Sequence, residues 1–126
     1  MRRFLFARTM TNYSFFGSAE RDFERLCRKY RSLPADLERF CKFTLMLEGE
    51  KGFPATHKNY TLLKSVAAVK IFKARIPCAA LRGNKLRIVY ARHAQSIAFI
   101  VLELYPKNEK EREDQERIAV YLAQKQ

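Results

Sequence analysis

The 126-residue chain holds only 4 Gly, 4 Pro and 3 Cys, and each scarcity excludes something. So few Gly and Pro rule out a collagen-like or linker-rich chain, and a hydrophobic fraction of 48% rules out a chain too polar to bury a core. Long apolar runs are missing. Ser65–Val69 and Ser96–Leu102 fall far short of the roughly 18–20 residues that span a bilayer, so no transmembrane helix is expected. Cys27, Cys41 and Cys78 form no C-x-x-C pair. An odd count without metal-ligand spacing points to reduced thiols in a cytoplasmic protein. Met1-Arg2-Arg3 is basic, but the apolar stretch Phe4–Ala7 behind it is too short for a secretory signal. The expected organisation is a single domain over 1–126, with 1–11 as an N-terminal extension and Met10 as an alternative start.

Acidic residues are scarce in a telling place. Lys plus Arg is 25 against 13 for Asp plus Glu, a formal net charge of +12. From Lys51 to Leu102 there are ten Lys and Arg and no Asp or Glu at all. Ordinary surfaces mix both signs, so a tract of one sign points to a polyanionic partner.

Periodicity gives an α+β order. Tyr13–Phe16 reads as a brief strand. Phe23, Leu26, Cys27 and Tyr30 follow the spacing of one buried helical face. Leu37, Phe40, Cys41, Thr44, Leu45 and Leu47 continue on a second helix that Pro34 opens. The two make an N-terminal helical hairpin. Phe53–Lys64 reads as a loop. Beyond it the period falls to two: Val69–Ile76 is a strand ended by Pro77, Arg82–Lys85 is a turn, Leu86–Ala91 is a second strand, and Ser96–Tyr105 is a third, nearly all apolar. Asn108 then suits an N-cap, with Glu109, Glu111, Glu113 and Asp114 in the first turns of a last helix. The hairpin is expected to pack on a twisted antiparallel sheet, with the terminal helix completing the domain.

Familiar catalytic signatures are absent. The sequence has no phosphate-cradling G-x-x-x-x-G-K-[ST] loop, no G-x-G-x-x-G and no G-x-S-x-G elbow. His57 and His93 stand alone, without metal-ligand spacing. No cofactor is expected. The basic tract also lacks the carboxylates that hold magnesium in many nucleases, so any nuclease here would work without metal. Such RNA cleavage needs a base for the ribose 2′-OH, cations for the charge on the phosphorane, and an acid for the leaving 5′-oxygen. Lys73 and Arg75, two apart, share one strand face. Arg87 lies on the next strand, and Lys107 follows the last one. Clustered cations favour loss of a proton from a lysine, which would let one serve as the base. Lys70, Arg82, Lys85 and Arg92 belong to the same tract and would extend the RNA-binding surface. Tyr90 shares a strand face with Leu86 and Ile88, which points it into the core, and Tyr105 and Tyr121 suit packing.

Phe72-Lys73-Ala74-Arg75-Ile76-Pro77 and Arg82-Gly83-Asn84-Lys85-Leu86-Arg87-Ile88-Val89-Tyr90 resemble the core of the RelE/ParE superfamily of bacterial toxins. So does Leu104-Tyr105-Pro106-Lys107-Asn108-Glu109-Lys110-Glu111, which leads into the terminal helix, and the likeness spans about residues 12–122. It implies a RelE-like fold and a cytoplasmic toxin of a type II toxin–antitoxin pair, inhibited by an acidic antitoxin. The RelE/HigB-like branch contains metal-independent endoribonucleases that cut mRNA on the ribosome. By that resemblance Lys73, Arg75, Arg87 and Lys107 are the catalytic cations, with Asn108 an adjacent RNA contact. The tyrosine often found near the last helix has no counterpart, since Glu113 and Asp114 stand there. His93 or Tyr121 would substitute as acid or base. That departure keeps a gyrase-poisoning toxin of the ParE type, or a non-toxic RNA-binding protein, as alternatives.

Overall fold

The computed structural model describes residues 13–53, 58–94 and 96–125, the side chains of 82–85 and 125 excepted. Five strands, β1 (Tyr13–Phe15), β2 (Tyr60–Val66), β3 (Val69–Cys78), β4 (Leu81–His93) and β5 (Phe99–Pro106), form one sheet in the order β1-β5-β4-β3-β2. Helices α1 (Ala19–Lys29) and α2 (Leu33–Lys51) follow β1, and α3 (Gln115–Lys125) closes the chain. The fold is α+β. Its sheet is mixed rather than wholly antiparallel, because β1 runs parallel to β5 with Tyr13 opposite Phe99.

Strand alternation sorts the sheet into two faces. On one face Phe72, Ala74, Ile76, Leu86, Ile88, Tyr90, Phe99 and Val101 pack under Leu26 and Tyr30 of α1 and Leu33, Leu37, Phe40 and Cys41 of α2. On the other, Val69, Ile71, Val89, Ala91, Leu102 and Tyr105 pack under Ile118, Tyr121 and Leu122 of α3. The helix α3 covers only the Val69–Ile71 end of that second face. Among the described residues, no helix lies over the opposite end, at Lys73, Arg75 and Arg87.

Three sequence expectations are corrected. The loop expected over Phe53–Lys64 contains most of β2, an edge strand whose side chains are largely exposed and therefore lack an apolar alternation. The turn expected at Arg82–Lys85 lies instead at Ala79–Ala80, and Pro77 sits inside β3 beside a register shift between Ile76 and Cys78. The start of α2 places the turn: the Asp36 carboxylate accepts the Ala79 N–H at 3.0 Å and the Ser32 hydroxyl accepts that of Ala80 at 3.1 Å. Pro77 falls beyond the end of β2, whose pairing stops at Tyr60 opposite Ala74, so no ladder donor is missed. The terminal helix begins at Gln115, not near Asn108, because Asp114 accepts the backbone N–H of Glu116 and Arg117 at 3.0 and 3.3 Å. Among the described residues, no helix is long and apolar enough to cross a membrane.

Candidate functional site

The uncovered end of the α3 face is a polar cleft of about 240 Å³, lined by Lys58, Asn59, Thr61, Lys73, Ala74, Arg75, Arg87, Lys107 and Glu111. Lys73, Arg75, Arg87 and Lys107 thus meet in one place, from two neighbouring strands and the turn after β5. Register explains the meeting. Thr61 of β2 lies opposite Lys73, Arg75 lies opposite Arg87, and Arg87 lies opposite Tyr105 of β5. Like charges directly opposite each other on antiparallel strands cost roughly 0.2–1 kcal/mol. A sheet selected only for stability would avoid the Arg75–Arg87 pair. Burial and then Arg75 pull the Arg87 guanidinium below its ordinary value, against a smaller opposing effect of Tyr105.

Carboxylates do reach this cleft, contrary to the expectation from the acid-free tract. They come from the segment after β5. Glu113 accepts from Lys73 Nζ at 2.8 Å, and Glu111 lines the opening. Glu103, only 2% exposed, anchors that segment: its Oε1 accepts the Asp114 N–H at 2.8 Å, and it pairs with Lys110. Glu109 bonds Arg25 at 3.2 Å and lies 3.6 Å from Lys29. Of the acids that the sequence suggested for a helix N-terminus, Glu109 and Glu113 therefore tie a loop to α1 and β3. Burial pushes the Tyr105 phenol up to about 12, helped by Glu113 and Glu103, so it stays protonated beside Arg87.

Burial raises the Glu113 carboxyl, but the Lys73 ammonium and nearby N–H donors outweigh it and hold the group below its ordinary value. A depressed carboxyl contributes stability that is fully present above its unfolded value of about 4.3 and lost as pH falls through the lower folded value. Glu113→Gln should accordingly flatten the acid limb of the stability curve. Urea midpoints measured between pH 6 and pH 3 test this, and an unchanged acid limb would count against the Lys73–Glu113 pair.

Other expected site residues lie elsewhere. Arg92 is buried at 2% exposure, on the α1/α2 face. It pairs with Glu48 of α2 and donates to the Ser96 and Ala98 carbonyls at 2.6 and 3.1 Å. Its guanidinium lies 4.6 Å from the centre of the Phe99 ring. It is a structural cation and not an RNA contact. Lys70 faces away from the cleft on alternation and donates to Ser65 Oγ at 2.7 Å. Asn108 is exposed in the turn beside Lys107 but does not line the cleft. The side chains of Arg82 and Lys85, and all of His57, lie outside the described residues.

His93 and Tyr121 do meet, with His93 Nε2 and the Tyr121 hydroxyl 2.7 Å apart, but under α3. His93 is six residues beyond Arg87 on β4, about 20 Å at roughly 3.3 Å per residue. They are corrected as acid and base for the cleft. Tyr90 is core, at 1% exposure. Sequence reading missed Lys58, Asn59, Thr61 and Glu111. Thr61 was findable only once β2 was known to pair with β3, and nothing in the sequence singled out Glu111.

No protein-family model matches the chain, and no curated protein matches it. Among solved structures, it is similar to the archaeal RelE–RelB complex from Pyrococcus horikoshii OT3, at 19% identity and a TM-score of 0.45, over 79% of this chain and 97% of that chain.

Proposed function

We propose that this protein is the toxin of a type II toxin–antitoxin pair and acts as a metal-independent, ribosome-dependent mRNA endonuclease. The observation that carries the reading is the convergence of Lys73, Arg75, Arg87 and Lys107 on one cleft, at the cost of the facing Arg75–Arg87 pair. RNA supplies its own nucleophile. The 2′-oxygen attacks phosphorus, the bond to the 5′-oxygen breaks, and negative charge builds on the phosphoryl oxygens between. Arg75 and Arg87 suit that charge, since a guanidinium offers paired donors to phosphate. Glu111 is a carboxylate able to accept the 2′-OH proton, and Lys73 and Lys107 are ammonium groups able to return one to the 5′-oxygen. The exposed positive surface of a +12 chain suits capture by an acidic antitoxin, which electrostatic steering would speed.

The test is incubation with ribosomes programmed with a defined mRNA, mapped by primer extension, beside a gyrase assay. Cuts at fixed codon positions are expected. Gyrase-dependent DNA breaks with intact mRNA would replace this reading with the ParE-type one. Binding should also depend steeply on salt. About four phosphate contacts give a log–log slope of roughly −2.8 for single-stranded RNA. A slope near zero in RNA titrations would remove phosphate binding as the purpose of the cleft.

A further inference from the structure

A second cavity, of about 220 Å³, opens where β3 outruns β2, between that strand edge and α2. It is lined by Asp36, Arg39, Phe40, Phe43, Asn59, Tyr60, Arg75 and Pro77. Its character is the reverse of the cationic cleft, with three aromatic rings and a proline forming its walls. The two cavities share Asn59 and Arg75, so they meet at the sheet edge. We propose that this aromatic pocket holds a nucleobase of the RNA strand whose phosphate lies in the Lys73–Arg75–Arg87 cleft. The proposal rests on the endonuclease reading and extends it to a base subsite.

The chemistry of a nucleotide matches the juxtaposition. A flat apolar base is joined through its sugar to an anionic phosphate, and single-stranded RNA is held by stacking bases on aromatic rings and lining the backbone with cations. The pocket is preformed. The Phe40 and Tyr60 rings stack at 5.7 Å between centres, inclined by 19°. Thr44 Oγ1 donates to the Phe40 carbonyl at 2.9 Å, which leaves the Tyr60 hydroxyl to donate to Thr44 Oγ1 at 2.7 Å. Phe43 lies beside them and is 42% exposed, so its ring offers surface to a ligand. The Asp36 carboxylate would repel RNA if it stood alone, but it is buried, accepts the Ala79 N–H and is paired with Arg39. The uncompensated charge at the rim is therefore that of Arg75, with the exposed Arg39 guanidinium held by Asp36. An apolar pocket rimmed by guanidinium groups and continuous with a phosphate-sized cationic cleft suits a base with its phosphate attached.

The experiment is an anisotropy titration of the full chain with a fluorescein-labelled hexaribonucleotide, made uncleavable by 2′-O-methyl groups. The same oligomer with one central base removed at a time is the comparison. For the parent, removal at one position should weaken binding by about tenfold, the order of a single base stack. Phe43→Ala should bind the intact oligomer about tenfold more weakly and show no further loss with the abasic one, while Phe43→Tyr restores both. Arg87→Ala should weaken both oligomers by the same factor. Thermal unfolding checks that Phe43→Ala, at an exposed site, stays folded. The subsite is overturned if Phe43→Ala binds the intact oligomer like the parent, or if the abasic penalty survives in it. It is likewise overturned if the variant loses affinity only for an acidic partner protein, which would make the pocket a protein-docking site. In each of these cases a retained Arg87→Ala effect leaves the phosphate cleft standing, and loss of that effect too removes both.

Discussion

Arg87→Ala is expected to lower mRNA cleavage by about 10²–10³ while the protein stays folded. Removing one preorganised contact to charge that develops in the transition state costs on the order of 2.7–4 kcal/mol. Arg87 is the cation placed most centrally for that task, flanked across the strands by Arg75 and by the protonated Tyr105. Arg87 also faces Arg75 across the strands, so Arg87→Ala removes a like-charge pair as well as the phosphate contact. Urea midpoints check that the variant stays folded. Its salt slope in RNA binding should shrink by about 0.7, one phosphate contact. Arg87→Lys should recover part of the rate, since it restores the charge without the paired donors. Cleavage at the parental rate by a folded Arg87→Ala would show that the cleft does not act through this cation.

The cationic part of the site was legible because it rests on strand alternation. Lys73 and Arg75 share a face by spacing alone, and Arg87 follows once β4 is recognised as antiparallel to β3. What sequence did not give was tertiary in origin. The polar Arg82–Lys85 stretch has good turn chemistry, yet Ser32 and Asp36 of α2 seize the backbone at Ala79 and Ala80 instead. Strand β2 is an edge strand in which only Tyr60, Leu63 and Val66, three apart, are partly buried, and a search for period two cannot find such a strand. The acids after β5 resemble a helix start, but ion pairs to Arg25, Lys29 and Lys73 use up Glu109 and Glu113. The burial of Arg92 does carry a signal in the sequence. The residue shares parity with Leu86, Ile88 and Tyr90, which places it on the core face, and counting basic residues along a tract ignores that parity.

Arg92→Ala should therefore harm the fold and not the chemistry, by about 3–5 kcal/mol of stability. That is the usual cost of removing one partner from a buried ion pair, because the remaining charge is left without compensation. Here the remaining charge is Glu48, whose side chain is 12% exposed. Arg92 also supplies donors to the Ser96 and Ala98 carbonyls, so its loss leaves the chain entering β5 without those bonds. It packs against Phe99 as well, and an alanine would leave a void above that ring. A loss of this size is a large share of the roughly 5–15 kcal/mol that holds a domain of ordinary stability together. Reduced soluble yield and an early urea midpoint are the expected readouts. The double variant Arg92→Met with Glu48→Met separates the contributions. Replacing both charges by apolar side chains removes the uncompensated carboxylate, so it should recover much of the loss, but not the share due to the two carbonyls. RNA affinity per folded molecule should match the parent in both variants, because neither residue lies in the cleft. If Arg92→Ala instead keeps parental stability and loses RNA affinity, Arg92 must turn outward in solution and join the RNA surface, contrary to its burial here.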